Sequence, residues 1–144
     1  MNQYYEIEKN GYAISTDPSK IDAVMVHNYL SEDSYWAKGI TFEKVKKSID
    51  NSMCFGLYQQ DKQIGLARLI TDKTTFAYLA DVFILQDYRG KGLSKWLMAT
   101  IHSHPELQSL RGWLLRTKDA HGLYEKFGWK SCTGEQIKRY MIWS

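Results

Sequence analysis

Only two cysteines, Cys54 and Cys132, occur in the 144 residues, and no zinc-like spacing links them. That excludes a disulfide framework or a cysteine-built metal knot as the source of stability. It reads instead as a pair of reduced thiols in a cytoplasmic protein. Prolines are equally few, Pro18 and Pro105, so no proline-rich linker divides the chain and residues 1–144 are expected to form a single domain. No apolar run approaches the roughly 20 residues that a membrane span needs. The start, "MNQYYEIEKNGY", lacks the apolar core of an export signal, so neither a membrane partner nor secretion is expected. Net charge is small as well: 19 basic against 16 acidic side chains give a formal +3. With no continuous basic stripe, nucleic acid is not an expected partner.

Aromatic residues, by contrast, make up 14% of the chain, enough for a core and for the wall of a pocket. Residues 11–15 read as a short first strand. Ile21, Val24, Met25 and Tyr29 then recur at helical spacing, and Thr41 is placed to cap a second helix with Phe42, Val45 and Ile49 on one face. "MCFGLYQQ" and "QIGLARLITD" read as a hairpin turning at Asp61-Lys62. The long run over 74–85, "TTFAYLADVFIL", is apolar on both alternating faces, which suits a strand covered on both sides. Leu93, Trp96, Leu97 and Ile101 mark an amphipathic helix. "RGWLLRT" reads as a further strand, "DAHGLYEKFGW" as a short helix stopping at Gly128, and "RYMIW" as a closing strand. The order β-α-α-β-β-β-α-β-α-β predicts a mixed α/β sheet with helices on both faces.

The chemistry concentrates in "LQDYRGKGLSKWL", where a buried strand hands over to a helix. Gly90 and Gly92 tolerate the backbone angles of a sharp turn. The helix that follows begins with unpaired N–H groups and the positive end of its dipole. Together with Arg89 and Lys91, that arrangement suits a phosphate group. The stretch is neither a Walker loop nor a dinucleotide fingerprint, because the glycine spacing and the Lys-Ser/Thr pair are missing. Elsewhere, His102 and His104 stand two apart on a helix and point to different faces, so no metal is expected.

The run "DVFILQDYRGKGLSKWL" resembles the coenzyme A motif of the GNAT N-acetyltransferase superfamily, Arg/Gln-x-x-Gly-x-Gly/Ala. Arg89 and Gly92 fill its first two fixed positions, and Ser94 stands where a glycine or alanine is usual. "TKDAHGLYEKFGW" resembles the family's second motif through Ala120, Tyr124, Gly128 and Trp129, with Thr117 where many members carry asparagine. The resemblance extends over nearly the whole chain and implies a mostly antiparallel central sheet.

It also implies an acetyl-CoA-dependent transfer to a primary amine, on a small molecule or a peptide. The pyrophosphate would lie on the backbone amides of Arg89, Gly90, Lys91, Gly92, Leu93 and Ser94. The pantetheine arm would run along the backbone of Val82, Phe83 and Ile84, beside a β-bulge. Tyr124 would donate a proton or hydrogen bond to the departing thiolate. Asp81, a carboxylate inside an apolar strand, is a candidate base or water anchor, and equally a hydrogen-bonded structural group. Tyr35 and Trp36 would help wall the acceptor site. Family members are often dimers, so the resemblance is compatible with a homodimer, while the sequence does not itself give the oligomeric state.

Overall fold

The computed structural model describes residues 3–144; Met1 and Asn2, where the reading for an export signal begins, lie outside them. One six-stranded sheet carries the fold, its strands running in sequence order from edge to edge. Strands β1 (Glu6–Lys9) and β2 (Tyr12–Ser15) form an antiparallel hairpin. Asn10 and Gly11 turn it, both at positive φ (52° and 83°). Asn-Gly supplies that left-handed pair at little cost, so the turn was legible in "EKNGYAIS"; the polar "EIEK" strand before it went unread because an edge strand need not be apolar.

Helices α1 (Ala23–Asn28) and α2 (Phe42–Asp50) follow. Between them, α1 runs on into a single π-turn, Tyr29–Asp33, where a plain loop is expected from sequence. The Thr41 hydroxyl accepts the amide of Lys44 at 3.3 Å, capping α2 as its position predicts. Strands β3 (Met53–Gln59) and β4 (Lys62–Thr71) form the hairpin, its turn at Gln60-Asp61, one residue earlier than the sequence suggests. Gln60 takes the positive φ.

Strand β5 (Phe76–Ile84) pairs antiparallel with β4 on one side and parallel with β6 (Gly112–Leu115) on the other. Helix α3 (Leu93–Ser103) makes the crossover between them. Two apolar clusters cover the two faces. One joins Phe55, Leu57, Leu69 and Leu79 of the sheet to Leu97, Met98 and Ile101 of α3. The other joins Cys54, Leu66 and Phe83 to Val26 and Leu30 of the first helical segment and Val45 and Ile49 of α2. Cys54 and Phe55 are neighbours in β3 yet belong to opposite clusters, as the two-residue period of a strand requires.

Helices α4 (His121–Glu125) and α5 (Glu135–Lys138) complete the chain. The closing strand expected over 139–143 does not form. Residues beyond α5 have no ladder partner, and Met141, Ile142 and Trp143 are 95%, 84% and 97% exposed. A strand is stabilised by its neighbour, and an alternating or apolar pattern does not by itself supply one. Sheet order ends at β6, whose outer edge is unpaired. No helix among the described residues is long and apolar enough to cross a membrane.

Candidate functional site

A break in the register of β5 creates the site. Leu66 pairs with Phe83 and Arg68 with Ala80, so Asp81 and Val82 together oppose the single residue Ala67. This is a β-bulge, and its first residue, Asp81, has φ 51°, a left-handed conformation that Asp and Asn adopt more readily than most side chains. Parallel pairing with β6 stops at Leu79. From Asp81 onward the β6-facing side of β5 therefore has no strand partner, and the two strands part. Gly65 lies close to the bulge: a Cβ there would come within 2.8 Å of the Phe83 carbonyl oxygen. Only glycine lets β4 approach so closely.

At the end of β5 stands the glycine loop. Gly90 and Gly92 have φ values of 80° and 76°. Gly92 is the N-cap of α3 and offers no side chain to the first turn, so the amide donors there are left to solvent or a ligand. Lys91 is exposed beside them, whereas Leu93 is buried and anchors the helix start. Ser94 is half-buried in that first turn. Arg89 does something the motif does not announce. Its Nε donates to the Ile84 carbonyl at 2.9 Å and its Nη2 to the Tyr29 hydroxyl at 3.0 Å. Tyr29 in turn stacks on Phe83, with ring centres 3.9 Å apart. The guanidinium thus ties the loop to the strand end and to the π-turn. It also occupies the Ile84 carbonyl; Phe83, paired with Leu66, turns its backbone groups to β4, so the Ile84 N–H and the bulge at Val82 are the freer part of that strand.

Parting of β5 and β6 opens a cleft of about 640 Å³, lined by Tyr35, Trp36, Arg68, Asp81, Val82 and Tyr124 among others. The segment after the π-turn straps across it. Trp36 donates its indole N–H to Asp81 Oδ1 at 2.8 Å, while the Tyr35 hydroxyl accepts the backbone amide of Lys118 at 2.9 Å. One bond reaches the β5 side and the other the exit from β6. The second Asp81 oxygen accepts the Nε of Arg68 at 2.7 Å, and Arg68 Nη1 donates to Ser52 Oγ at 3.0 Å. Both oxygens of Asp81 are thereby engaged, and its side chain is only 9% exposed. Arg68 is a site residue that the sequence reading missed, although a charge inside the apolar run "GLARLI" mirrors the charge inside "YLADVF".

Tyr124 sits on α4, 8% exposed. Its hydroxyl has no hydrogen-bond partner among the described residues, and the residue lines the cleft. Burial, with smaller contributions from Tyr35 and Asp119, pushes its phenol up to about 12. The group therefore stays protonated at neutral pH, a donor whose hydroxyl opens onto the cleft. The Cys54 thiol is also pushed up to about 12 by burial, which makes it inert as a nucleophile. Two histidines serve as acceptors: His102 Nε2 takes the indole N–H of Trp129 at 2.8 Å, and His104 Nδ1 takes the amide of Glu106 at 3.1 Å. Among the described residues no group of three or more His, Cys, Asp or Glu is gathered for a metal ion. A larger cleft of about 780 Å³ lies between α2 and the Pro105 turn. It shares no residue with the glycine loop or with Tyr124.

The observed arrangement therefore combines an uncapped helix start behind a glycine turn, a strand whose backbone is freed by a bulge, and an unpartnered phenol in the cleft beside that bulge. The helix start can take an anion such as a phosphate, and the freed strand can pair with an amide-containing chain.

Comparison with known proteins agrees. Residues 14–143 match the family described as Acetyltransferase (GNAT) domain. A Gibberella zeae protein named as an acetyltransferase is 29% identical, across 82% of this chain and 78% of its own. A crystal structure from Xanthomonas campestris pv. campestris, described as an acetyltransferase of the GNAT family, superposes with a TM-score of 0.85. That protein is 43% identical over 93% of this chain and 96% of its own. A Staphylococcus aureus structure shares the fold at a TM-score of 0.71 and 23% identity, covering 92% and 99% of the two chains. On the sheet, the glycine turn and these likenesses together, the chain belongs to the GNAT acetyltransferases.

Proposed function

We propose that this acetyltransferase takes its acetyl group from acetyl-CoA and passes it directly to a primary amine. The observation that carries the reading is the freed backbone of β5 at the bulge, lining one cleft with the unpartnered hydroxyl of Tyr124, in a strand that leads into the uncapped α3 start. When bound, acetyl-CoA would supply an activated acyl group. The neutral amine forms the C–N bond as the C–S bond breaks, and the nitrogen loses its extra proton to water in the cleft. The same solvent reprotonates Tyr124 after it has given its proton to the sulfur.

The chain's own groups have separate tasks. Backbone amides of the turn from Gly90 to Ser94, with the α3 dipole behind them and Lys91 beside them, receive the pyrophosphate. Arg89 holds the turn in shape through Ile84 and Tyr29. Amides of β5 near Val82 and Ile84 hold the arm and offer an N–H to the thioester oxygen, where charge grows during attack. Tyr124 gives a proton or a hydrogen bond to the sulfur, a contribution on the order of 10²–10⁴ in rate for a well-placed acid. Asp81, with both oxygens bonded, is assigned to positioning: it fixes Trp36 over the acceptor cleft and keeps Arg68 neutralised.

Titration calorimetry with acetyl-CoA, paired with a CoA-release screen over an amine and peptide library, tests the proposal. Micromolar binding and turnover with at least one amine are expected. Absence of acetyl-CoA binding, together with an Arg89→Glu variant identical to the parent, overturns it.

A further inference from the structure

This inference rests on transfer to an amine and concerns which amines. The cleft beneath Tyr35 and Trp36 contains five charged side chains: Arg68, Asp81, Arg116, Lys118 and Asp119. Arg68 and Asp81 cancel each other in their ion pair. The remaining three belong to one short stretch leaving β6. Arg116 and Asp119 have neither an ion pair nor a hydrogen bond among the described residues. The ammonium of Lys118 lies 5.6 Å from the ring centre of Tyr35 and has no carboxylate partner. Asp119 is the one lining carboxylate with both oxygens unengaged, and it lies close enough to Tyr124 for its charge to raise the phenol.

A rim with one free carboxylate and two free cations discriminates among amines. A simple ammonium ion gains from Asp119 and is repelled by Arg116 and Lys118. An acceptor that also carries an anion a few bonds from its nitrogen gains from all three, and guanidinium suits a carboxylate or phosphate particularly well. The aromatic walls Tyr35, Trp36 and Tyr78 accept an apolar body between the two ends.

We propose that the acceptor is zwitterionic, an amine bearing a nearby carboxylate or phosphate. Asp119 receives the ammonium and Arg116, aided by Lys118, receives the anion.

Charge-matched pairs test this. CoA release is measured with phenylalanine against phenylalaninamide, 4-aminobutyrate against its amide, and O-phosphoethanolamine against ethanolamine. The first two pairs report on a carboxylate and the third on a phosphate. An amide gives phenylalanine a less basic, more easily deprotonated amine, so that comparison is biased against the acid. In at least one pair the anionic member should lead by about tenfold or more in kcat/KM, mainly through KM, the size of effect one charge contact at a partly wet rim supplies. Arg116→Gln should bring that ratio toward one, and Arg116→Lys should retain part of it.

The same pairs are also followed as thermal-melt shifts of the acetyl-CoA-loaded protein. This keeps charge selection readable even if no amine turns over, an outcome that would count against amine transfer itself. Equal or better performance by the uncharged members, in both turnover and melting, overturns the proposal. So does a preference for anions that persists in both Arg116→Gln and Lys118→Gln.

Discussion

Arg68 and Asp81 face each other across neighbouring strands, their Nε and Oδ2 atoms 2.7 Å apart. The carboxylate also carries Trp36. Removing one member of such a half-dry pair leaves the other without a partner, at a cost of about 3–5 kcal/mol where burial is complete. Solvent contact lowers that figure here, because 16% of the Arg68 side chain is exposed. Asp81→Asn should keep the left-handed backbone and the acceptor for Trp36 while losing the charge, and should destabilise by about 2 kcal/mol in urea. Arg68→Met in the same chain should recover part of the loss. If the double variant is less stable than the sum of the two singles, the pair is not the source.

Tyr124→Phe removes a cleft hydroxyl that has no hydrogen-bond partner among the described residues. Turnover should fall by about 10²-fold, while acetyl-CoA affinity stays within a few-fold and stability changes little. Because burial pushes the phenol up to about 12, its ionisation should place no alkaline limb on the rate between pH 7 and 10. Loss of cofactor binding equal to the loss of rate would assign Tyr124 to the wall instead.

Gly92 caps α3 at φ 76°, and an L-residue there is strained by about 1–2 kcal/mol. Gly92→Val should weaken acetyl-CoA binding by about tenfold or more in calorimetry. Ser94→Gly should stay within a few-fold, because the serine's backbone amide, common to both, carries the contact. A large loss in that second variant would mean the Ser94 hydroxyl belongs to the site.

Two histidines, His104 buried and His102 half-buried, set an acid limit. His102 and His104 are both lowered from 6.5 by burial, and each uses a ring nitrogen as an acceptor. The unfolded chain then binds protons more readily than the native one. Their stabilising effect is complete above about pH 6.5 and is lost as pH falls through the lower native values. Melting temperature should drop between pH 6.5 and 5, and the drop should shrink in His102→Gln combined with His104→Asn, which keep an acceptor without the charge. An unchanged pH profile in that variant would sink the assignment.

The sequence made the glycine turn, α3 and the Thr41 cap legible because each is decided by local chemistry: backbone freedom, helical spacing, a short hydroxyl side chain. It also made Tyr124 legible through its motif. Arg68, Arg116 and Asp119 were not, since their importance comes from which strands part and which charges are left over, a matter of tertiary pairing. The expected strand at 139–143 failed for the same reason, lacking a neighbour. Asp81 lies between the two cases. Its oddity within an apolar run was visible, but its partners sit 13 and 45 residues away.

The bulge has one more effect, on the phase of β5. Ala77 and Leu79 contribute to the α3-side cluster from odd-numbered positions, whereas beyond Asp81-Val82 that cluster takes Ile84 and the opposite one takes Phe83. The strand thus changes parity midway and still keeps both faces apolar. A relative lacking one residue here would differ from this chain by a single gap, yet every side chain on one flank of it would face the other way. In comparisons of such chains, an indel between Ala80 and Phe83 should therefore be read as a change of catalytic architecture, and not as loop drift.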